Sequence, residues 1–144
     1  MWSESQLAYL AGIIDGEGTM YIQRKADKRS SIITWTYWTR LQVCNTNPKL
    51  IDWIHQTFGG LIYKKERSHI KRNWKTQFEW YSKISMVDVL LPLLYPYLIV
   101  KKPQAEVMME FRKTFEPRQT RRLTPEMQTY REECMAKLKH LNNS

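Results

Sequence analysis

The feature that most constrains how this chain can fold is a repeated order of elements, in which an apolar helix is followed by two strands. Strand-forming residues cover Thr19 to Lys25 and Ile32 to Cys44, and a second pair covers Leu61 to Arg67 and Trp74 to Lys83. A charged or basic stretch separates the strands of each pair, as in a hairpin. Because hairpin strands are antiparallel and helices lie between the pairs, we expect an α+β fold with one antiparallel sheet and its helices on one face.

Local signals mark where the helices begin. Ser3 and Gln6 form a capping-box pattern ahead of the apolar run 7–14, which the following glycines are expected to end. Asn47, followed by a proline, predicts the start of a second helix. Further helices are predicted over residues 85–95, 104–115 and 125–141. The predicted order is α-β-β-α-β-β-α-α-α, and a length of 144 residues suits a single domain spanning 1–144.

Basic residues outnumber acidic ones, which restricts the class of partner. The chain has 23 Lys and Arg against 14 Asp and Glu, a formal net charge of +9. An excess of this size favours a polyanion partner such as nucleic acid. The 2 cysteines form no CxxC pair and the 3 histidines are scattered, so neither a disulfide scaffold nor a structural zinc site is expected.

No targeting or membrane segment is predicted. The N-terminus lacks the basic region of a signal peptide. The most apolar stretch, Val89 to Val100, is short and is interrupted by Pro92 and Pro96. We therefore expect an intracellular protein, in an archaeal or bacterial cytoplasm or in an organelle that encodes it.

One face of the predicted sheet is polar and basic. Since successive side chains of a strand point to opposite faces, Met20 and Ile22 are expected in the core and their neighbours on the other face. Arg, Lys, Gln and Thr on a two-stranded ribbon suit the base edges of the DNA major groove, although a solvated strand face would look similar. The side chains predicted to contact DNA are Tyr21, Gln23, Lys25, Thr36, Trp38, Arg40, Gln42, Lys64, Arg72, Lys75 and Gln77. In the third strand either Lys64 or Lys65 could face outward, because the residues before them are all apolar.

The most informative segment is Asp15-Gly16-Glu17-Gly18, directly after the first apolar helix. Acidic side chains at a helix C-terminus oppose the negative end of the helix dipole, at a cost of about 0.3–1 kcal/mol each. A divalent cation would remove this cost, and main-chain carbonyls beside a carboxylate are oxygen ligands that suit Mg²⁺. A single carboxylate is too few for a complete metal site unless phosphates, water or a second copy contribute. The alternative is a buried helix that ends in a polar, glycine-rich turn.

The first helix also has small residues on one face. Ala8 and Gly12 lie one helical turn apart, which allows another helix to approach closely. Two such helices that crossed on a two-fold axis would bring their Glu17 side chains together.

The segment from Leu10 to Gly18, LAGIIDGEG, closely resembles the signature of the LAGLIDADG homing endonucleases. The resemblance extends to the order of elements, to Asn47-Pro48 at a helix start, to the Phe58-Gly59-Gly60 turn and to Lys101-Lys102 after a proline-containing helix end. A chain of this length with one copy of the motif is similar to the homodimeric branch of that family. The fold that this resemblance implies is an antiparallel sheet forming a DNA-binding saddle, with the helices on the opposite face.

The resemblance also implies an activity and a site. Such proteins are sequence-specific endonucleases that make metal-dependent double-strand breaks in long, pseudo-palindromic DNA sites and leave 3′ overhangs. The implied cofactor is Mg²⁺, which Mn²⁺ or Ca²⁺ can replace for binding, and it lowers the pKa of the water that attacks the phosphate. The implied residues are Glu17 and the Gly16 carbonyl as metal ligands, Glu17, Asn45 and Lys101 as catalytic residues, Lys49 as a looser match, and Ala8, Ala11, Gly12 and Asp15 at the dimer interface.

Three other functions are compatible with parts of this pattern. An RNA-binding intron maturase without nuclease activity would share the fold and the basic strands, and Glu17 is the feature that favours the nuclease. A transcription regulator of similar fold would need a separate helix-turn-helix domain, and none is predicted. A basic structural domain would explain the charge but not the acidic turn.

Overall fold

The computed structural model describes residues 1–28, 34–66, 75–115 and 124–143. Within these ranges the helices and strands follow the predicted order. The helices are α1 (Glu4–Glu17), α2 (Pro48–Phe58), α3 (Ile84–Leu94), α4 (Lys102–Lys113) and α5 (Pro125–Asn142), with a 3-10 turn at Tyr95–Tyr97. The strands are β1 (Gly18–Asp27), β2 (Thr34–Asn45), β3 (Leu61–Lys65) and β4 (Gln77–Tyr81).

The strands form one antiparallel sheet in the order β1-β2-β4-β3. β1 and β2 pair along the whole length of β1, whereas only the last part of β2, from Gln42 to Asn45, pairs with β4. The register places Tyr21 opposite Arg40, and Gln42 opposite Tyr81. The predicted α+β class with a single antiparallel sheet is therefore confirmed.

One face of the sheet forms the floor of the hydrophobic core. Met20, Leu41 and Trp80 point to this face and are fully buried, whereas Gln23 and Lys25 lie on the opposite face and are exposed. Helices pack on the apolar face through residues at helical spacing. The buried residues of α1 are Leu7, Leu10, Ala11 and Ile14. The predicted division of the sheet into an apolar and a polar face is confirmed, and we call the polar face, opposite the helices, the outward face.

The helix starts agree with their sequence signals. The Ser3 hydroxyl accepts from the backbone N–H of Gln6, and the Gln6 side chain accepts from the backbone N–H of Ser3, which makes a complete capping box. The side chains of Asn47 and Thr124 cap α2 and α5 by accepting from the backbone N–H groups of Lys49 and Met127, and each residue precedes a proline. Across the described segments, none of these helices is long and apolar enough to cross a membrane.

The end of α1 lies beyond its predicted position. The helix continues through Gly16 to Glu17, because the backbone N–H of Gly18 still donates to the Ile14 carbonyl. An added Cβ at Gly18 would lie 2.6 Å from the Ile14 Cα atom. A side chain at Gly18 would therefore clash with α1, because the helix and the strand meet there at close range, whereas a Cβ at Gly16 would meet nothing within 4 Å.

The strands differ from the prediction at their ends. β4 ends at Tyr81 rather than at Lys83, and at the next residue the Ser82 hydroxyl takes the place of a backbone carbonyl as the acceptor for the Leu41 N–H, at 2.9 Å. β3 ends at Lys65. The predicted strand ends Ile32, Arg67 and Trp74 lie outside the described residues.

The turn between α2 and β3 provides a test of the packing. Gly59 and Gly60 have φ angles of +79° and +95°, which side chains rarely adopt. At Gly60 an added Cβ would also lie 2.5 Å from the Tyr81 carbonyl oxygen, whereas at Gly59 it would meet nothing within 4 Å. We expect Gly59→Ala to lower the free energy of unfolding by about 1–2 kcal/mol, and Gly60→Ala to lower it by about 1–3 kcal/mol more. Urea denaturation measures both, and equal losses would contradict the close approach at Gly60.

Candidate functional site

The Glu17 carboxylate is the exposed acid at the C-terminal end of α1. The Asn45 side chain, at the end of β2, donates from Nδ2 to Glu17 Oε2 at 2.7 Å. The other side of the same amide, Asn45 Oδ1, accepts from the backbone N–H of Asn47 at 2.7 Å. These two bonds fix the orientation of the amide, so Asn45 presents its NH₂ group to Glu17 and holds one carboxylate oxygen in place. The structure therefore brings together Glu17 and Asn45, two of the residues predicted to be catalytic.

A chain of hydrogen bonds continues from this pair to the start of α2. Asn47 Oδ1 accepts from the backbone N–H of Lys49 at 3.0 Å, so the residue that caps α2 is itself bonded to Asn45. Lys49 is exposed in the first turn of α2. The position of Glu17 is thus tied to the joint between β2 and α2.

The second acid of this turn, Asp15, has a different environment. Its carboxylate accepts from the backbone N–H groups of Ile99, Val100 and Lys101, at 2.8, 3.1 and 3.0 Å. A carboxylate that receives three such bonds is well satisfied within its own chain. Asp15 was predicted at a dimer interface, and the structure gives it a role in anchoring the segment that precedes α4.

Lys101 points back to the end of α1. Its ammonium group donates to the Ile14 carbonyl oxygen at 2.8 Å and to the Gly18 carbonyl oxygen. Burial lowers the pKa of Lys101, and the nearby Asp15 carboxylate opposes that shift. Since these carbonyls lie at the negative end of the α1 dipole, Lys101 offsets the unfavourable position of two acids in the last turn. The ammonium therefore lies beside the candidate site, and two of its three protons are used within the chain.

The residues present fit a hard divalent cation only in part. Glu17 is an exposed carboxylate, and Gly16 lies in the last helical turn, where carbonyl groups have no intrahelical donor. Across the residues that the structure describes, no three His, Cys, Asp or Glu side chains lie close enough to form a metal site. A cation at Glu17 would need oxygen ligands from a second copy or from a substrate.

A stripe of small and aromatic residues lies exposed along α1. Ala8, Tyr9, Gly12 and Gly16 are exposed at helical spacing, and with Leu50 of α2 they line a shallow groove of about 410 Å³ that reaches Glu17. The small-residue face predicted for Ala8 and Gly12 is therefore exposed, and only Tyr9 at its edge packs on α2, with its ring 4.8 Å from that of Trp53. We call it the α1 stripe.

One predicted interface residue does not lie on this stripe. Ala11 is fully buried against the core of its own chain, with 0% of its surface exposed. It is one residue from Gly12, which turns it by about 100° around the helix axis. The resemblance implied Ala11 as an interface residue, whereas the structure places it in the core of its own chain, on a different side of α1 from Ala8 and Gly12.

Most predicted DNA contacts in the strands lie on the outward face. This face carries side chains from β1, β2 and β4, with polar and basic groups in adjacent positions. The predicted residues found there are Tyr21, Gln23, Lys25, Thr36, Trp38, Arg40, Gln42 and Gln77. Lys75 is exposed just before β4, and Arg72 lies outside the described residues.

In β3, the residue on the outward face is Lys65 and not Lys64, which was among the predicted DNA contacts. Ile62 packs against the core opposite Trp80, so Lys64, two residues later, lies on the helix side of the sheet and pairs with Glu66 at 3.2 Å. Lys65 instead lies on the outward face and pairs with Glu79 at 2.9 Å. From the sequence, either Lys64 or Lys65 could have faced outward. The buried Trp80 on β4 decides between them, because its partner Ile62 must face the core and Lys64 lies on the same face as Ile62.

Two outward residues were missed by the sequence analysis. Glu79 and Tyr81 alternate with Trp80 and therefore share the face of Gln77. The Tyr81 ring lies 5.2 Å from the Arg40 guanidinium and packs edge-on against Tyr63. The alternation from the buried Trp80 is the sequence signal that places both residues among the polar side chains.

The fold was compared with known proteins. No protein-family model matches the sequence, and no curated protein matches it. Among solved structures, the homing endonuclease I-CvuI in complex with the I-CreI target has a TM-score of 0.75 and 19% identity, over 98% of this chain and 84% of that one. The archaeal intron-encoded homing endonuclease I-Vdi141I in complex with DNA has a TM-score of 0.70 and 14% identity, over 97% and 94%. The LAGLIDADG homing endonuclease I-GzeII has a TM-score of 0.65 and 15% identity, over 92% and 43%.

The contact between Asp15 and the segment before α4 can be tested in the isolated chain. In Asp15→Asn an NH₂ group replaces one acceptor oxygen and faces backbone N–H donors, so we expect a loss of about 1–3 kcal/mol in the free energy of unfolding. Hydrogen exchange of the Ile99, Val100 and Lys101 amides should accelerate together. Asp52→Asn, on the exposed side of α2, is the matched control. Unchanged exchange at all three amides would show that Asp15 does not hold this segment.

Proposed function

We propose that this protein, which has the fold of the LAGLIDADG homing endonucleases, is a homodimeric, site-specific endonuclease that cleaves both strands of DNA. The observation that carries the proposal is the Glu17 carboxylate, exposed at the end of α1 and held by Asn45 at 2.7 Å. A purely structural acid would have its acceptor oxygens used within the chain, as Asp15 has on three backbone N–H donors. Glu17 is instead oriented and left accessible.

The α1 stripe supports a dimer. An added Cβ at Gly12 or at Gly16 would meet nothing within 4 Å, so neither glycine is required by packing inside the chain. Each glycine within a helix costs about 0.8–1 kcal/mol relative to alanine. This cost is offset if a second α1 helix approaches closely at these positions. Such a crossing would place the two Glu17 side chains next to each other and complete the set of oxygen ligands that one chain lacks.

The proposed cofactor is Mg²⁺, which Glu17 and the Gly16 carbonyl of each copy would hold together with phosphate oxygens of the DNA. When bound there, the cation would lower the pKa of an attacking water and neutralise charge on the scissile phosphate. Asn45 keeps Glu17 in one orientation, so little conformational freedom is lost when a ligand binds. Lys101 adds positive potential near the same point, although two of its protons are bonded to carbonyl groups.

The outward face is the proposed DNA-binding surface. Arg40, Lys65 and Lys25 supply positive charge, and the glutamine side chains between them supply both donors and acceptors for base edges. Two copies related by a two-fold axis would read a long, pseudo-palindromic site and leave 3′ overhangs. Such a protein would act in the compartment that holds its target DNA.

Substitution of the exposed acid tests the activity. Glu17→Gln keeps the size of the side chain and removes its charge, so we expect cleavage of target DNA in Mg²⁺ to fall by at least about 100-fold, which corresponds to about 3 kcal/mol. Binding of the same DNA in Ca²⁺, measured by gel shift, should change by less than about tenfold. The target is first selected from random DNA by binding.

The matched control for this variant is Glu4→Gln, which removes an exposed acid from the other end of α1. It should leave cleavage unchanged. Comparable cutting by wild type and Glu17→Gln would reject the proposed role of Glu17. Absence of cutting by the wild type, with tight binding to structured RNA, would favour the maturase function.

The dimer is tested by the glycines of the stripe. Gly12→Ala should stabilise the isolated chain by up to about 1 kcal/mol, because the helix gains propensity and the new methyl meets nothing in its own chain. The same methyl should weaken dimerisation by at least about tenfold, measured by analytical ultracentrifugation, because it separates two closely packed helices. An alanine variant that is both more stable and equally dimeric would place the interface elsewhere.

A further inference from the structure

A buried carboxylate lies in the outward face of the sheet. The Glu79 side chain is 3% exposed and lies on the face opposite the hydrophobic core. A surface that binds a polyanion gains no affinity from an acid, and burial of a charge is unfavourable unless it is paired and hydrogen-bonded. The contacts of Glu79 indicate what it does there.

Two neighbouring side chains donate to this carboxylate. Lys65 reaches it from β3 at 2.9 Å, and the Tyr81 hydroxyl donates to its other oxygen. Burial alone would raise the pKa of Glu79, but the hydrogen bonds from Tyr81 and Lys65 outweigh it and the pKa is lowered. The carboxylate is therefore ionised and can only accept hydrogen bonds.

The ionised state of Glu79 determines where the neighbouring protons point. Burial and the adjacent Glu79 carboxylate raise the pKa of Tyr81, so its hydroxyl keeps its proton. Because the Tyr81 proton is directed at Glu79, the Tyr81 oxygen presents a lone pair to its other neighbour, Gln42. Gln42 Nε2 donates to Tyr81 Oη at 3.2 Å and to Cys44 Sγ at 3.3 Å. Both N–H groups of this amide are thus used inside the protein.

We propose that Glu79 is a positioning residue that sets the hydrogen-bond polarity of Gln42, so that Gln42 presents its Oε1 acceptor to the DNA. In the major groove, an acceptor pairs with the exocyclic amino group of adenine or cytosine and not with guanine or thymine, which present oxygen there. The protein would therefore prefer an amino-bearing base at one position of each half-site. This inference rests on the proposed function, because it requires that the outward face binds DNA.

Replacement of Glu79 by its amide should reverse the polarity. In Glu79→Gln the new NH₂ group can donate to Tyr81 Oη, which frees the Tyr81 proton for Gln42 Oε1. Gln42 then turns its NH₂ group to the DNA, where it suits the O6 atom of guanine or the O4 atom of thymine. The change alters preference at the single base position that Gln42 contacts and leaves the rest of the site unaffected.

The experiment is a comparison of base preferences, measured by selection from random DNA in Ca²⁺ so that binding is read without cleavage. Gln42→Ala identifies the position by loss of preference there. At that position, we expect Glu79→Gln to shift preference from adenine or cytosine towards guanine or thymine by about tenfold or more. The matched control is Glu66→Gln, which removes an exposed carboxylate that pairs with Lys64 on the other side of the same strand pair. It should give the wild-type profile.

A second measurement needs no DNA and no cleavage. In the free protein, the side-chain NH₂ protons of Gln42 should exchange slowly with solvent in the wild type and rapidly in Glu79→Gln, as observed by NMR. If Glu79→Gln does not fold, the double variant Tyr81→Phe with Cys44→Ala removes both acceptors of the Gln42 amide and keeps the Glu79–Lys65 pair. It should abolish the preference at the same position.

The outcomes separate this inference from the proposed function. If the wild type selects no DNA sequence, the proposed DNA-binding function fails. If it selects a sequence and Glu79→Gln has an unchanged preference at the Gln42 position, the positioning role of Glu79 is overturned while the proposed function stands. An equal change at every position of the site would also overturn it, because that result indicates a general effect of charge or folding.

Discussion

The interaction on which the rest of this structure depends is the reciprocal contact between the last turn of α1 and the segment that leads into α4. Asp15 takes three backbone N–H donors from that segment, and Lys101 returns its ammonium to the carbonyl groups of Ile14 and Gly18. The two sides are thus bonded to each other in both directions, by backbone donors on the Asp15 carboxylate and by the Lys101 ammonium on carbonyl groups where α1 meets β1. The point at which α1 ends, and at which β1 begins, is fixed by this exchange.

This exchange also explains how two neighbouring acids in one turn have different roles. Asp15 is used entirely within the chain, whereas Glu17 keeps one oxygen on Asn45 and its other oxygen accessible. Lys101 lowers the negative potential of the helix end on which both acids lie, which reduces the cost of placing a second acid, Glu17, in the same turn. An accessible carboxylate with a defined orientation is one condition for metal-assisted chemistry. The residues that provide it here, Asp15, Asn45 and Lys101, come from three separate parts of the sequence.

The sequence predicted the element order, the sheet class, the helix caps and the polar parity of β1 and β2, because each depends on local patterns of capping residues or alternation. It did not predict that Ala11 faces the core or that Lys65, and not Lys64, faces outward. Those properties depend on which neighbouring element covers a residue, as Trp80 does for the strand that contains Lys65. The roles of Asp15 and Lys101 were also beyond sequence reasoning, since their partners lie more than 80 residues apart.

The outward face, which is the proposed DNA-binding surface, has two parts that differ in the number of strands that form them. Among the described residues, the part of this face far from Glu17 is formed by β1 and β2, a two-stranded ribbon of the kind that a DNA major groove admits. Near Glu17, β4 and β3 join the sheet, and Gln42, Tyr81, Glu79 and Lys65 form one hydrogen-bonded network across three strands. If the outward face binds DNA as proposed, the network, unlike the ribbon beyond it, would meet the bases with side chains that are already bonded to one another. Base preference should therefore be most stringent close to the candidate catalytic acid, where misplacement of the phosphate would have the largest effect on chemistry.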